Sequence, residues 1–268
     1  MIPTAFVQQW RKQAPWPQLQ QVEQDLIISR ALCDIFSEPA LSGRLAFRGG
    51  TAINKLLFAR PLRYSEDIDL VQVTAEPIGQ IVDAVRAALS WMGNCRRDQA
   101  GHSMHLIFKF PAQDDSTIML KLKVEINTRE HGCCFGFVRY PFSVQNPWYS
   151  GNAQILSYVA EELFATKLRA FLQRRKNRDL FDLHHGLNQM QLDRSKVIDG
   201  FRHYMSFEPK PISKANAQER MLDKLRRSLI EDIDVLLPVD SAFTQDTAAR
   251  AFEQVWNDLI SISGKRSK

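Results

Sequence analysis

Two aspartates stand two residues apart in Ser65-Glu66-Asp67-Ile68-Asp69. In an extended chain, alternate side chains leave the same face, so Asp67 and Asp69 project together while Glu66 faces away. Facing carboxylates repel and raise each other's pKa unless a cation sits between them. A divalent ion is the natural answer, and hard oxygen ligands favour magnesium, with manganese as the alternative. A solvated strand edge or an Asx turn would also place two aspartates so. Ile68, Leu70 and Val71 argue against it, because they carry the run on as a strand entering a core.

A third carboxylate lies in Lys121-Leu122-Lys123-Val124-Glu125-Ile126. The alternation places Lys121, Lys123 and Glu125 on one strand face and Leu122, Val124 and Ile126 on the other. If this strand neighbours the aspartate strand, Asp67, Asp69 and Glu125 converge. Glu125 would then complete a second metal site or take a proton as general base. Otherwise it pairs with Lys121 or Lys123 on an exposed face.

Upstream, Gly49-Gly50-Thr51 falls where a short apolar strand, Leu45 to Arg48, gives way to a helix. Glycines let the backbone approach a phosphate closely, and a helix start offers free N–H groups to it. Thr51 is read as the cap of a helix over 52–58. A glycine pair before a helix is often an ordinary turn, but here Asp67 follows about 16 residues after Thr51. A fourth cluster spans Ala160 to Leu183. Lys167, beside Phe164 and Leu168, would point its ammonium at a phosphate or snorkel to solvent. Arg178–Asp182 and Arg175–Asp179 have the i,i+4 spacing of helical ion pairs.

These groups need elements to hold them. Residues 25–36 read as a helix buried on one face, and 37–43 as a loop. Residues 63–73 read as a strand, 78–92 as a helix, and 105–110, 117–127 and 135–142 as strands. Residues 44–142 are thus a mixed α/β module of four or five strands. Composition shifts after Asn146-Pro147. Helices are expected over 158–173, 177–190, 195–204, 218–237 and 247–262, with a basic tail from Gly264. The fold class is an α/β (α+β) core with a small mixed sheet followed by a helical domain. The domains divide as 1–150, with its helical lead-in, and 151–268.

The 268 residues, 44% apolar and 24% charged, match an ordinary soluble globular protein with a real core. Neither a bilayer-length apolar run nor a signal peptide is visible, so the cytoplasm is the expected location and no membrane partner is expected. The net charge of +5 suits either solubility or attraction to a polyanion such as nucleic acid. Four cysteines, Cys33, Cys95, Cys133 and Cys134, include no CxxC pair. They read as buried thiols in a reducing compartment, and a structural zinc site is not expected.

With these motifs in hand, the stretches FRGGTAINKLL, LRYSEDIDLV, KLKVEINT and ATKLRAFLQRRKNRDLFDL resemble the nucleotidyltransferase toxins of the abortive-infection type. Those are the toxin side of type IV toxin–antitoxin systems, within the DNA-polymerase-β-like nucleotidyltransferase superfamily. The resemblance runs from about Ala46 to Leu183. It implies that Gly49, Gly50 and Thr51 form the glycine motif, that Asp67 and Asp69 bind metal, and that Glu125 is the third acidic residue, where aspartate is common elsewhere. It also implies that Lys167, Asp179 and Asp182 form the C-terminal motif, with Arg178 beside them facing phosphate or a neighbouring helix. An NTP substrate, an RNA acceptor such as tRNA, and a cognate antitoxin are the implied partners. Arg174, Arg175, Lys176, Arg178, Lys210, Lys214, Arg220, Lys224, Arg226 and Arg227 would cradle that RNA. Rival readings are transfer to a small molecule or to protein side chains, and a non-catalytic binding protein. The expected mark of the last is a lost carboxylate, and none of the three is missing.

Overall fold

The computed structural model describes residues 2–174, 176–207, 214–225, 230 and 232–261, with backbone alone at 214 and 225. The chain forms two compact units, Met1–Tyr158 and Val159–Lys268.

The first unit is built on a seven-stranded mixed sheet. Its strands are β1 (Leu45–Arg48), β2 (Asp67–Gln72), β3 (Cys95–Ala100), β4 (Ser103–Pro111), β5 (Met119–Asn127), β6 (Phe137–Asn146) and β7 (Tyr149–Tyr158). They lie in the order β3-β4-β5-β2-β1-β7-β6. β2 runs parallel to β5 and β1 parallel to β7, and the other neighbours are antiparallel. Two strands were not expected. β3 is a polar edge strand, and β7 continues the chain past Asn146-Pro147, where a helical region seemed to begin.

Helix α1 (Thr4–Trp10) leads into α2 (Leu19–Ser37), which packs against β2, β5, β6 and β7. α2 starts before the expected 25–36 and is buried nearly all round over Val22–Ser29. Its buried polar groups are each partnered, as burial demands. Asp25 accepts from the indoles of Trp10 (2.8 Å) and Trp16 (3.3 Å) and from Lys55 Nζ (2.7 Å). The Gln24 amide donates to the carbonyls of Glu66 (3.2 Å) and Lys121 (2.9 Å). These carbonyls lie at the entry to β2 and early in β5, so one side chain helps hold the register of the two acidic strands.

Between β1 and β2 the chain forms α3 (Gly49–Ala52), which continues as a π-turn over Ile53–Leu57. The expected strand over 63–73 is confined to Asp67–Gln72. α4 (Gly79–Ala88) is followed by a 3₁₀ turn at Ser90–Met92 rather than by one helix through Met92.

The second unit is helical: α5 (Ala160–Gln173), α6 (Arg178–Gln189), α7 (Arg194–Ser206), α8 (Lys214–Leu225) and α9 (Gln245–Val255), with a π-turn over Trp256–Ile260. α5 packs on α6 and α7, and α6 on α9. The helix expected over 218–237 does not reach its full length: Lys214–Leu225 is helical, 226–229 lie outside the described residues, and Asp234–Leu236 is a 3₁₀ turn. No helix among the described residues is long and apolar enough to cross a membrane.

Candidate active site

The carboxylates of the first unit are brought together by strand pairing. β2 and β5 are parallel neighbours, with Asp67 opposite Lys123 and Asp69 opposite Glu125. Ile68, Leu70, Val124 and Ile126 are buried on one side. The acidic residues share the other, half-exposed side. On the far flank of β2, Asp69 lies opposite Arg48 of β1.

The three carboxylates are not equivalent. Lys123 Nζ stands between two of them, 3.0 Å from Glu125 Oε2 and 3.4 Å from Asp67 Oδ2. His105, opposite Glu125 on β4, brings Nε2 within 3.4 Å of the same Oε2, and the Ser103 hydroxyl also bonds to Glu125. Burial pushes Glu125 upward, but Lys123 chiefly outweighs it and holds the carboxyl below its ordinary range. Burial likewise disfavours charge on Lys123, yet Asp67 and Glu125 hold its ammonium above the usual lysine value.

Asp69 has no such partner. Among the described residues its carboxylate accepts no hydrogen bond and closes no ion pair; the facing Arg48 guanidinium is bound to Glu130 at 2.6 Å. Burial first, then the like charges of Asp67 and Glu125, raise its pKa. Gly49 explains how the carboxylate fits. Its φ is +82°, and a β carbon there would collide with the Asp69 carboxylate. Only glycine satisfies both the backbone conformation and the close approach.

The expectation for Thr51 needs correction. The residue is buried inside α3, whose N-cap is Arg48, and no side chain caps that helix start. The Thr51 hydroxyl donates to the Asp67 carbonyl (2.5 Å) and accepts from Ser65 (2.7 Å). It ties the glycine turn to the start of the aspartate strand. Gly50 lies in the same turn, its carbonyl accepting from Asn54 Nδ2 at 3.0 Å.

An oxygen-only donor set with an unneutralised carboxylate fits a divalent cation best at the Asp67–Asp69 pair. Among the described residues no group of three or more histidine, cysteine, aspartate or glutamate side chains is arranged to hold a metal ion. Cys33 is buried, whereas Cys95, Cys133 and Cys134 are part-exposed, contrary to the expectation that all would be buried.

In the second unit, Lys167 of α5 meets Asp179 (3.1 Å) and Asp182 (2.9 Å) of α6. All three are almost fully buried. Arg174 closes a two-pronged bond on Asp179, at 2.7 and 2.8 Å. Burial would raise the Asp179 pKa, but Lys167 and Arg174 overcome it and hold the carboxyl far below its ordinary range. The Arg178–Asp182 pair expected on α6 is therefore replaced. Asp182 takes Lys167, and Arg178, half-buried, forms no ion pair among the described residues. Arg175 lies outside the described residues.

Two of the cations expected to meet RNA bond to backbone carbonyls, Lys224 from a buried position and Arg220 from an exposed one. Arg220 donates to the Leu172 carbonyl (3.0 Å), and Lys224 to the Arg174 carbonyl (2.7 Å) above the Phe171 ring. Lys176 is exposed. Lys210, Arg226, Arg227 and the Lys214 side chain lie outside the described residues.

Lys123, His105, Ser103 and Gln24 escaped the expected site list. Lys123 alone carried a signal, as the cation two residues before Glu125 on the same face. The others depend on strand order, which local pattern does not encode.

A mixed sheet presenting a glycine turn against paired aspartates, with a third carboxylate on the parallel neighbour, defines a nucleotidyltransferase core. The family model of the nucleotidyl transferase AbiEii toxin, type IV toxin–antitoxin system, matches residues 30–258, and the chain belongs to that family of nucleotidyltransferase toxins. Among solved structures, it is similar in fold to the nucleotidyltransferase toxin MenT4 of Mycobacterium tuberculosis. Identity is 17%, with a TM-score of 0.68 and coverage of 98% of this chain and 92% of that one. It is also similar to JHP933 of Helicobacter pylori, at 16% identity, a TM-score of 0.54 and coverage of 91% and 95%. A search of curated protein sequences finds no match.

Proposed function

We propose that the enzyme moves a nucleotidyl group from an NTP to an RNA hydroxyl, with tRNA the favoured acceptor, at the Gly49–Asp67–Asp69–Glu125 face. The observation that carries this reading is the half-buried, partnerless carboxylate of Asp69, packed against a glycine that tolerates no side chain. Nothing in a purely structural strand rewards that arrangement.

Asp67 and Asp69 would hold a divalent ion, magnesium or manganese, which when bound supplies positive charge to the triphosphate and the α-phosphoryl group. The Gly49–Thr51 turn would lie under the phosphates. Glu125 is the proposed acceptor of the hydroxyl proton. The acceptor oxygen then bonds to the α-phosphorus, the α–β bridging P–O bond breaks, and pyrophosphate leaves. Lys167, Asp179, Asp182 and Arg178 join the machinery on the strength of the family resemblance, with Lys167 as the proposed phosphate contact and a cognate antitoxin as the expected regulator.

Purified protein incubated with total RNA, magnesium and each α-labelled NTP in turn tests the acceptor. Label in a tRNA-sized band supports the reading and names the base. Label found only on protein or on a small hydroxylated compound would overturn the RNA assignment.

A further inference from the structure

Lys123 stands inside the carboxylate face rather than beside it. It departs β5 two residues before Glu125, on the same face, so the strand repeat itself fixes its position. Its ammonium lies between Glu125 and Asp67, at 3.0 and 3.4 Å. Glu125 is further held by His105 at 3.4 Å and by Ser103. Asp69 alone keeps its carboxylate without an ion pair or hydrogen bond among the described residues.

We propose that Lys123 is the built-in second cation of this site, filling the position between Asp67 and Glu125 that a second divalent ion would occupy, so that the chain binds a single divalent ion on Asp67 and Asp69. This rests on the reading of that pair as metal ligands. The donor inventory supports it. The Lys123 ammonium donates one hydrogen bond to Glu125 and stands at ion-pair distance from Asp67. A divalent ion bound to Glu125 would have to displace the ammonium and the His105 contact, or set like charges against each other in a half-buried site. Lys123 is therefore a positioning residue. It keeps Glu125 oriented on the carboxylate face without withdrawing it into a metal shell.

Counting bound Mn²⁺ per chain by electron paramagnetic resonance, with no nucleotide present, tests this without recourse to activity. Wild type should bind one ion and Asp69→Asn none. Lys123→Met should bind two, the first roughly tenfold or more tightly than wild type, because a neighbouring positive charge is gone. Lys123→Arg should return to one. Should Lys123→Met not fold, as judged by circular dichroism, Glu125→Gln decides. It should still bind one ion, weakened by no more than roughly tenfold through loss of a neighbouring negative charge, since its partners are protein groups and not the metal. Two ions on wild type, one on a folded Lys123→Met, or loss of the ion in Glu125→Gln would each overturn the proposal. No ion on wild type, or one retained by Asp69→Asn, would instead overturn the metal reading of the aspartate pair.

Discussion

The two units handle buried charge in opposite ways. In the helical unit, Lys167 and Arg174 neutralise Asp179, while Lys167 also takes Asp182; Lys167 and the two aspartates are almost fully buried, Arg174 closes the network from the exposed side, and the ion pairs are short. On the sheet, three carboxylates share a half-exposed face, one lysine bridges two of them, and Asp69 closes no ion pair among the described residues beside the like charges of Asp67 and Glu125. A satisfied network is what stabilises a fold. An unsatisfied one, retained beside a glycine shaped to it, is what a ligand completes. Removing an aspartate should therefore have opposite consequences in the two places.

The largest effect is expected at Asp69. Asp69→Asn should lower nucleotidyl transfer by at least about 10²–10³-fold, the scale of losing a principal electrostatic contact to the transition state. The metal-free protein should melt no lower than wild type, because a repulsive charge has gone. A loss of activity accompanied by a fall in Tm would break the contrast between the units.

Asp179→Asn should do the reverse to stability. It leaves Lys167 short of one counter-ion and Arg174 without its partner, which costs about 3–5 kcal/mol for a buried network. Urea denaturation measures it. The same carboxyl dictates a pH dependence. Its folded pKa is depressed, so its contribution is present above the unfolded value of about 4 and is lost as pH falls through that value towards the folded one. Acid titration of stability should therefore be steeper in wild type than in Asp179→Asn across the region below about pH 4. Parallel curves would show that this ion network contributes nothing.

Gly49→Ala should come next. A left-handed φ and a collision with the Asp69 carboxylate should together cost about 1–3 kcal/mol. They should also weaken Mn²⁺ binding, since Asp69 must move. Thr51→Val is the mildest: loss of the hydroxyl that joins Ser65 to the Asp67 carbonyl should cost about 1–2 kcal/mol, leaving folded protein with reduced turnover.

The sequence was readable where side-chain pattern and function coincide. The alternation through Asp67-Ile68-Asp69 and Lys123-Val124-Glu125 placed the carboxylates on strand faces, and β2 and β5 form there. The helical second unit was foreseen from its apolar periodicity. β3 escaped because Cys95–Ala100 is a polar edge strand, held by pairing with β4 rather than by an apolar face. β7 escaped because Ser150-Gly151-Asn152 looks like a loop, and burial is confined to its second half, Ala153 and Ile155–Tyr158, where Ser157 pairs with β1. Thr51 was misassigned for a related reason: local spacing marks a helix start, but the strand that its hydroxyl reaches is set by the tertiary fold. The replacement of Arg178–Asp182 by Lys167–Asp182 follows from the packing of α5 on α6, which no spacing within α6 encodes.

The central claim is that Asp67 serves chemistry and not the fold. The most direct test compares wild type with Asp67→Asn for transfer from α-labelled NTP to RNA, alongside thermal melts of the same samples. We predict a folded variant, at most slightly less stable for the loss of its half-exposed ion pair with Lys123, and no labelled product. Full transfer by Asp67→Asn, or loss of transfer only through unfolding, would contradict it.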